Sequence, residues 1–389
     1  MKRLAIIMIT LLLVAGCLPG APDNAEQEEV VENETSEEVV ISRDINTSER
    51  YYRSILPYTP GASRGLILSG MDNRLDIDEF ETGLMRLAQD SFDPDKYFFR
   101  EGQILEESEI QAWIDRRSED NPAGLNQELG VSESASVEEK LAAHKKNPKY
   151  LSYVLEQNYL VKKADDKVEL GGIAIGLSLN SIYSFTVEDE QGRLHSGEVD
   201  LRSQSGTLIE VGKRMAEQIV NFVRKKDEAK NVPIMIAIYQ EQTRDSLIPG
   251  RFLAMTTVGS GKTDISSWQN LNERHYLFPS EDVLEDHRED AEKFNNFKLR
   301  IEDFFPNFTG VIGKGFYKDG ELQRLSIDIS MQFYGKAEVI AFTQFVTDLI
   351  DEEFFPDLPI EVTISSVEKQ ESVIVKDPDM EEPYVQIYR

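Results

Sequence analysis

Cysteine is almost absent from this sequence, since Cys17 is the only one in 389 residues. A single thiol excludes an intramolecular disulfide and a thiolate metal cluster, so we expect the fold to depend on its apolar core. Histidine is also scarce: the chain has four, and no two of them are four residues apart, as a paired metal site on a helix would need. We therefore expect no metal or other cofactor.

Basic residues are few as well. The chain has 42 lysines and arginines against 71 aspartates and glutamates, a formal net charge of −29. A chain this acidic repels polyanions, which argues against nucleic acid as a partner. Beyond the N-terminus, no apolar run approaches the roughly 20 residues that a membrane-spanning helix needs.

The first residues have the order of an export signal. Two positive charges, Lys2 and Arg3, precede the apolar run Leu4–Ala15, and the small Gly16 comes directly before Cys17. Such a short run is typical of a signal peptide, and Val14–Cys17 fits the lipobox of bacterial lipoproteins. We predict a signal peptide over residues 1–16, cut between Gly16 and Cys17, with lipid attached to Cys17.

This prediction implies partners and a location. Signal peptidase and the lipid-transfer machinery would process the chain, and the lipid would hold it on the outer face of the cytoplasmic membrane. The alternative is an ordinary secretory signal that happens to precede a cysteine. Residues 17–46 are predicted to form a disordered tether, because seven acidic residues and no basic one lie between Glu26 and Glu38.

The remaining chain predicts an α+β fold, with a helical N-terminal unit followed by two tandem β-α-β-containing repeats with mixed or antiparallel sheets. The predicted units are 47–165 (mainly helical), 166–262 (first α/β repeat), 263–305 (linker and long amphipathic helix) and 306–389 (second α/β repeat). In the helical unit, apolar residues at helical spacing predict three helices. They are marked by Ile77, Phe80, Leu84 and Leu87, by Ile110, Trp113 and Ile114, and by Leu151, Val154, Leu155 and Tyr159.

The two repeats are predicted because the same order of strand, glycine, helix and proline-containing strand occurs twice. Strand Glu198–Leu201, a helix after Gly206 and strand Val232–Ile238 form the first copy. Strand Ser326–Ile329, a helix after Gly335 and strand Leu358–Ile364 form the second. Each closing strand begins with an aliphatic residue, proline and isoleucine. The alternative is that unrelated β-α-β units share this pattern.

Four stretches partly match chemical motifs. Gly61–Gly65 matches the serine-nucleophile pattern G-x-S-x-G, but no strand is predicted before it. Gly259–Thr263 imitates the end of a P-loop, but lacks the first glycine of the motif. The acidic cluster Asp72–Glu81 lacks the glycine that an EF-hand loop needs. His287 lies among acids on the apolar face of a predicted helix, which favours a packed histidine.

Several stretches without chemical motifs make the chain resemble a known family. They are Tyr51–Tyr58, Arg64–Leu66, Arg74–Leu84 and Tyr97–Gln103. Together with the lipobox, the acidic tether and the repeat, they resemble the sex pheromone precursor lipoproteins of Firmicutes, the CamS-like family. The resemblance implies that the cleaved signal peptide is trimmed to a short apolar peptide that enterococcal cells sense. The corresponding residues here are Thr10, Leu11, Leu12, Leu13, Val14, Ala15 and Gly16.

Three functions follow as hypotheses. In the first, the mature chain is a non-enzymatic surface module that binds a cell-wall or peptide ligand. In the second, the chain is the precursor of a signalling peptide released from its signal peptide. These two functions are compatible. The alternative is a cell-wall-associated hydrolase with an unrecognised carboxylate pair. A cleft holding a carboxylate with a strongly raised pKa would favour the hydrolase, and an aromatic groove without one would favour the binding module.

Overall fold

The structure is a computed structural model that describes residues 29–33, 38–43, 51–64, 77–163, 167–304, 310–378 and 380–389. The predicted signal peptide, the lipidation site at Cys17 and the candidate peptide 10–16 lie outside these residues. Within them, the helices are α1 (Ile77–Ala88), α2 (Glu107–Ile114), α3 (Val137–Lys146), α4 (Ser205–Val223), α5 (Glu281–Asp286), α6 (Arg288–Phe304) and α7 (Lys336–Glu353).

The strands build two large sheets and two small ones. They are β1 (Glu29–Glu32), β2 (Glu38–Ile41), β3 (Ile55–Leu56), β4 (Tyr97–Glu101), β5 (Leu151–Lys162), β6 (Val168–Leu179), β7 (Ile182–Glu188), β8 (Leu194–Asp200), β9 (Ile234–Gln240), β10 (Arg251–Val258), β11 (Gln269–Asn270), β12 (Glu273–Phe278), β13 (Gly310–Lys318), β14 (Glu321–Ser330), β15 (Ile360–Ser365), β16 (Gln370–Lys376) and β17 (Tyr384–Ile387). The predicted α+β class with mixed sheets is confirmed.

The first large sheet has the strand order β4-β5-β6-β9-β10-β11, and β6 and β9 are its parallel pair. Helix α1 packs on one face of this sheet, where a Cβ on Gly176 would meet the ring of Phe80 at 2.8 Å. Helix α4 packs on the other face, where a Cβ on Gly212 would meet Ile238 at 2.8 Å. Because both faces are covered, every residue of β9 is buried.

The second large sheet has the order β12-β13-β14-β15-β16-β17, and β14 and β15 are its parallel pair. Helices α6 and α7 pack together over it, with Phe304 against Phe342. Buried and more exposed residues alternate along β15, as one covered face requires. We call residues 51–271 the N-terminal unit and residues 272–389 the C-terminal unit, because each has its own apolar core.

The two large sheets share their connectivity. Strands β9 and β15 both occupy the fourth position, and each is parallel to the third strand and follows a helix, α4 or α7. A duplicated unit would give this agreement, and the duplication itself stays a prediction. The predicted strand Glu198–Leu201 does not match Ser326–Ile329, however, because it lies in a separate hairpin of β7 and β8. The strand in the position of β14 is β6.

Two predicted helices are wrong. The segment of Leu151, Val154, Leu155 and Tyr159 is strand β5, whose first ten residues are all buried. The long amphipathic helix predicted within 263–305 is two helices, α5 and α6, because the backbone leaves the helical region at His287, with φ −139° and ψ 59°.

The predicted boundaries also change. Strands β4 and β5 belong to the same sheet as β6, so 47–165 is not separate from the first α/β unit. Strand β12 lies inside the predicted linker 263–305 but forms the edge of the second sheet. The tether is ordered in part, since β1 and β2 pair and bury Val31, Val39 and Ile41 against Phe98 and Leu160. The many acidic residues of this stretch predicted disorder, although its few apolar side chains form strands.

Candidate functional site

A buried ion pair joins the two units. Arg86 of α1 donates two hydrogen bonds to Glu273 of β12, Nη1 to Oε1 at 2.6 Å and Nη2 to Oε2 at 3.1 Å. Glu273 is 1% exposed. Burial opposes the charge on Arg86, but the hydrogen bond and charge of Glu273 outweigh it and raise the pKa of Arg86. The pair therefore fixes α1 against the second sheet.

Two arginines flank one aromatic ring beside this pair. The guanidinium of Arg86 lies 4.6 Å from the ring centre of Phe316, and that of Arg324 lies 5.9 Å from it. Both arginines also approach Glu79, at 3.5 Å and 3.7 Å. Burial lowers the pKa of Arg324. The interface thus places paired charges of both signs around an aromatic ring.

A cavity of about 320 Å³ opens at this interface. Helix α1 forms one side, and the ends of β13, β14, β15 and β16 near the parallel pair form the other. Its lining combines two aromatic residues with charges of both signs: Tyr51, Phe316, Arg86, Lys318, Arg324, Glu361 and Asp377. Burial, and then the charges of Glu361 and Glu79, raise the pKa of Tyr51. The concave site between the units is therefore amphipathic.

His275 lies behind the same interface. Its ring packs against Phe316, with centres 5.0 Å apart, and its Nε2 lies 3.7 Å from Glu79 Oε2. Burial and then the charge of Arg86 lower the pKa of His275 to about 4. Glu79 would favour the protonated ring, but its charge is already offset by Arg86 and Arg324. His275 is therefore neutral at pH 7.

A smaller cavity of about 130 Å³ adjoins the first and contains acidic groups. Burial, and then the charge of Glu101, raise the pKa of Glu81. Burial also raises the pKa of Glu156, although this carboxylate accepts hydrogen bonds from the backbone N–H groups of Ile104, at 3.1 Å, and Leu105, at 2.7 Å. Those bonds make Glu156 an anchor for the chain between β4 and α2.

The partial motifs do not assemble chemistry in the described residues. Residues 61–64 form a turn that lines the smaller cavity, without the strand that a nucleophile elbow needs, and Gly65 lies outside the described residues. Gly261 has φ +69° in a turn after β10, and no helix follows it as a P-loop requires. Among the described residues, no group of His, Cys, Asp or Glu could hold a metal ion. His287 stacks on Tyr317 at 3.9 Å, which agrees with a packed histidine.

Sequence reasoning missed the residues of the interface. Arg86, Glu273, Phe316 and Arg324 are isolated in sequence and carry no motif. They meet only because α1, which packs on the first sheet, reaches the second sheet through the side chain of Arg86. An arginine within an otherwise regular helix pattern gives no signal of a partner 187 residues away.

The fold and the cavity define a two-unit α+β protein with a concave site between its units. A family model described as "CamS sex pheromone cAM373 precursor" matches residues 58–382. The chain belongs to this family, as its sequence resemblance implied. Membership in a family of pheromone precursors indicates an exported protein. Among the described residues, no helix is both long and apolar enough to cross a membrane.

Two solved structures are similar over most of the chain. The sex pheromone precursor from Lactobacillus salivarius is 32% identical with a TM-score of 0.77, and the match covers 89% of this chain and 98% of that one. The C-terminal domain of the staph-cAM373 precursor from Staphylococcus aureus is 30% identical with a TM-score of 0.67, covering 82% and 98%. The comparison with curated proteins gives no significant match.

Proposed function

We infer that this chain is a lipoprotein anchored at Cys17, with a signal peptide that yields a short peptide and an extracellular part that binds a small amphipathic ligand. The order of charge, apolar run, Gly16 and Cys17 supports the anchor. Family membership supports the precursor role. The observation that carries the binding role is the cavity between the units.

The chemistry of this cavity indicates the kind of ligand. Tyr51 and Phe316 offer apolar surface, while Arg324 and Lys318 offer charge for an anionic group. Its volume of about 320 Å³ suits a molecule the size of a modified amino acid or a dipeptide. A short peptide, free or from the cell wall, has both an apolar side chain and a carboxylate.

N-acetylphenylalanine is the smallest probe with both features. We expect saturable binding by ligand-observed NMR, weakened at least tenfold by Phe316→Ala or Arg324→Gln. Tyr334→Ala is the matched control, because this ring is 78% exposed and does not line the cavity. Binding that is absent, or equal in all four proteins, would remove the support for this ligand class.

The anchor is tested at the thiol. Cys17→Ser removes the group that accepts lipid, so metabolic labelling with radioactive palmitate should label the wild-type chain only. A labelled Cys17→Ser protein would contradict lipid attachment at this residue.

The released peptide is tested by synthesis. Family members carry a heptapeptide of the type Ala-Ile-Phe-Ile-Leu-Ala-Ser, and Leu12 stands here in place of its phenylalanine. Loss of a buried ring costs about 1–3 kcal/mol, so we expect Thr10–Gly16 to induce conjugation roughly ten- to a hundred-fold less well in enterococcal responder cells. Equal induction across a dilution series would contradict this.

A hydrolase remains the second candidate, because Glu81 has a raised pKa beside Glu101 in the smaller cavity. A carboxyl group with a raised pKa close to a second acidic side chain is the arrangement of general acid catalysis. Release of soluble fragments from purified cell wall, lost in both Glu81→Gln and Glu101→Gln, would favour this function over binding alone.

A further inference from the structure

A second crevice, of about 420 Å³, lies between the units and is distinct from the amphipathic cavity. The N-terminal unit contributes Arg202, Ser205 and Arg251, and the C-terminal unit contributes Arg274, His275 and Asp282. It lies where the parallel strands β6 and β9 end and helix α4 begins. In open α/β sheets, ligands bind in the crevice at this end of the parallel strands.

The first turn of α4 faces this crevice without a side-chain cap. Gln204, which precedes the helix, makes no capping hydrogen bond, and Ser205 lines the crevice. A Cβ placed on Gly206 would meet no atom within 4 Å, so the backbone there is open to approach. The start of a 19-residue helix presents N–H groups and partial positive charge, which favour an anion.

Arg251 is a partly buried cation at the same place. It donates from Nη2 to Ser205 Oγ at 3.2 Å, and no carboxylate of the described residues forms an ion pair with it. Arg202 and Arg274, in contrast, bind Asp200 at 2.6 Å and Asp286 at 2.8 Å. Burial, and then the charge of Arg274, lower the pKa of Arg251. An anion in the crevice would compensate for the burial of the Arg251 charge and for its repulsion by Arg274.

His275 is a second, independent sign of a ligand. It is 7% exposed, and neither ring nitrogen has a hydrogen-bond partner among the described residues. A buried polar group without a partner destabilises the fold, because it has lost its hydrogen bonds to water. The ring lines the crevice, and its approach to the backbone of Gly250, directly before Arg251, opposes the lowering of its pKa without forming a well-aligned hydrogen bond. A ligand group beside Arg251 would give its N–H an acceptor.

Acidic residues also line the crevice, and they limit where an anion fits. Glu241 accepts hydrogen bonds from Ser152 and Ser178, which direct one of its oxygens into the first sheet. Asp282 lies 3.8 Å from Arg274 on the opposite wall. The positive end of the crevice is therefore the side formed by Arg251 and the start of α4.

We propose that this end binds a phosphate group, held by the Arg251 guanidinium, the Ser205 hydroxyl, the first-turn N–H groups of α4 and the His275 ring. A guanidinium, a hydroxyl and the N–H groups at a helix start are donors that the oxygens of a phosphate group accept from in proteins. The volume leaves room for a substituent, so the ligand class is a phosphate monoester. The site does not depend on the amphipathic cavity or on its ligand.

The test uses the full chain and inorganic phosphate as the probe, at constant ionic strength. We expect calorimetric titration to show one site, with a dissociation constant at least tenfold higher in Arg251→Gln. Arg251→Lys keeps the positive charge but lacks the planar set of N–H donors of a guanidinium. Its dissociation constant for phosphate should lie between those of the wild type and Arg251→Gln. Arg288→Gln is the control, because it removes the same charge at a side chain that is 71% exposed. Circular dichroism confirms that each variant folds.

Acetate and vesicles complete the experiment. Acetate should bind at least tenfold more weakly than phosphate, and equal binding would overturn the assignment of phosphate. Phosphate affinity that is the same in Arg251→Gln and Arg288→Gln would overturn the site. Co-sedimentation with phosphatidic acid vesicles that requires Arg251 assigns the phosphate to a lipid headgroup, and phosphate binding without such co-sedimentation assigns it to a soluble monoester.

Discussion

At the residue scale, the interface holds ionisable groups whose charge depends on their neighbours. Arg86 has a raised pKa because Glu273 accepts two hydrogen bonds from it, and His275 is neutral because burial and the charge of Arg86 act together. Such groups link stability to pH, because their protonation differs between the folded and unfolded chain.

We expect His275 to make the protein less stable below neutral pH. Its folded pKa, about 4, lies below the ordinary histidine value of 6.5, so between these values the unfolded chain binds the extra proton. The contribution to the free energy of unfolding is complete above pH 6.5 and is lost as the pH falls towards 4. The full loss would be about 3 kcal/mol.

Urea denaturation between pH 5 and 7.5 measures this loss. In His275→Gln the slope should be shallower than in the wild type, by up to about 1.4 kcal/mol per pH unit. Parallel curves for the two proteins would show that His275 is not the group responsible.

At the scale of elements, helix-to-sheet distance depends on small residues. Helix α4 approaches β9 closely only because Gly212 has no side chain opposite Ile238. Glycine inside a helix costs about 1 kcal/mol relative to alanine, so close packing must offset that cost here. Gly206 lies in the first turn of the same helix but has open space around it.

We expect Gly212→Ala to destabilise the protein by about 1–3 kcal/mol, because the methyl group would overlap Ile238. Gly206→Ala should be neutral or stabilising by up to about 1 kcal/mol, since alanine favours the helix and nothing obstructs it. The midpoints of urea unfolding measure both changes. A gain in stability in Gly212→Ala would mean that α4 moves away from the sheet at little cost.

Whether an element is buried on one face or on both explains which elements could be predicted from the sequence. Helices α1, α4 and α7 each have one apolar face, so their periodicity was visible in the sequence. Strand β5 is buried over its first ten residues, so it lacks the alternation of a half-exposed strand and its apolar residues imitated a helix. The hairpin of β7 and β8 interrupts the crossover from β6 to α4, which misaligned the predicted copies.

At the scale of the whole molecule, two separate cores are joined by polar contacts. The apolar clusters of the N-terminal and C-terminal units do not share residues, and Arg86 with Glu273 crosses between them. This is also why the candidate site could not be predicted. Its cavity exists only where the units meet, and sequence periodicity reports on single elements.

The ion pair of Arg86 and Glu273 should contribute far more to the free energy of unfolding than an ion pair on the surface. Arg86→Met would leave the carboxylate of Glu273 buried without its partner, which costs about 3–5 kcal/mol. Lys96→Met is the control, because Lys96 and Asp93 form an exposed pair, 74% and 41% accessible, and water and salt screen such pairs so that they contribute little to stability. Arg86→Met combined with Glu273→Met removes both charges, so the double variant should be more stable than the sum of the single losses predicts. Chemical denaturation of the four proteins in this cycle measures the coupling, and additive losses would mean that the two side chains do not hold the units together.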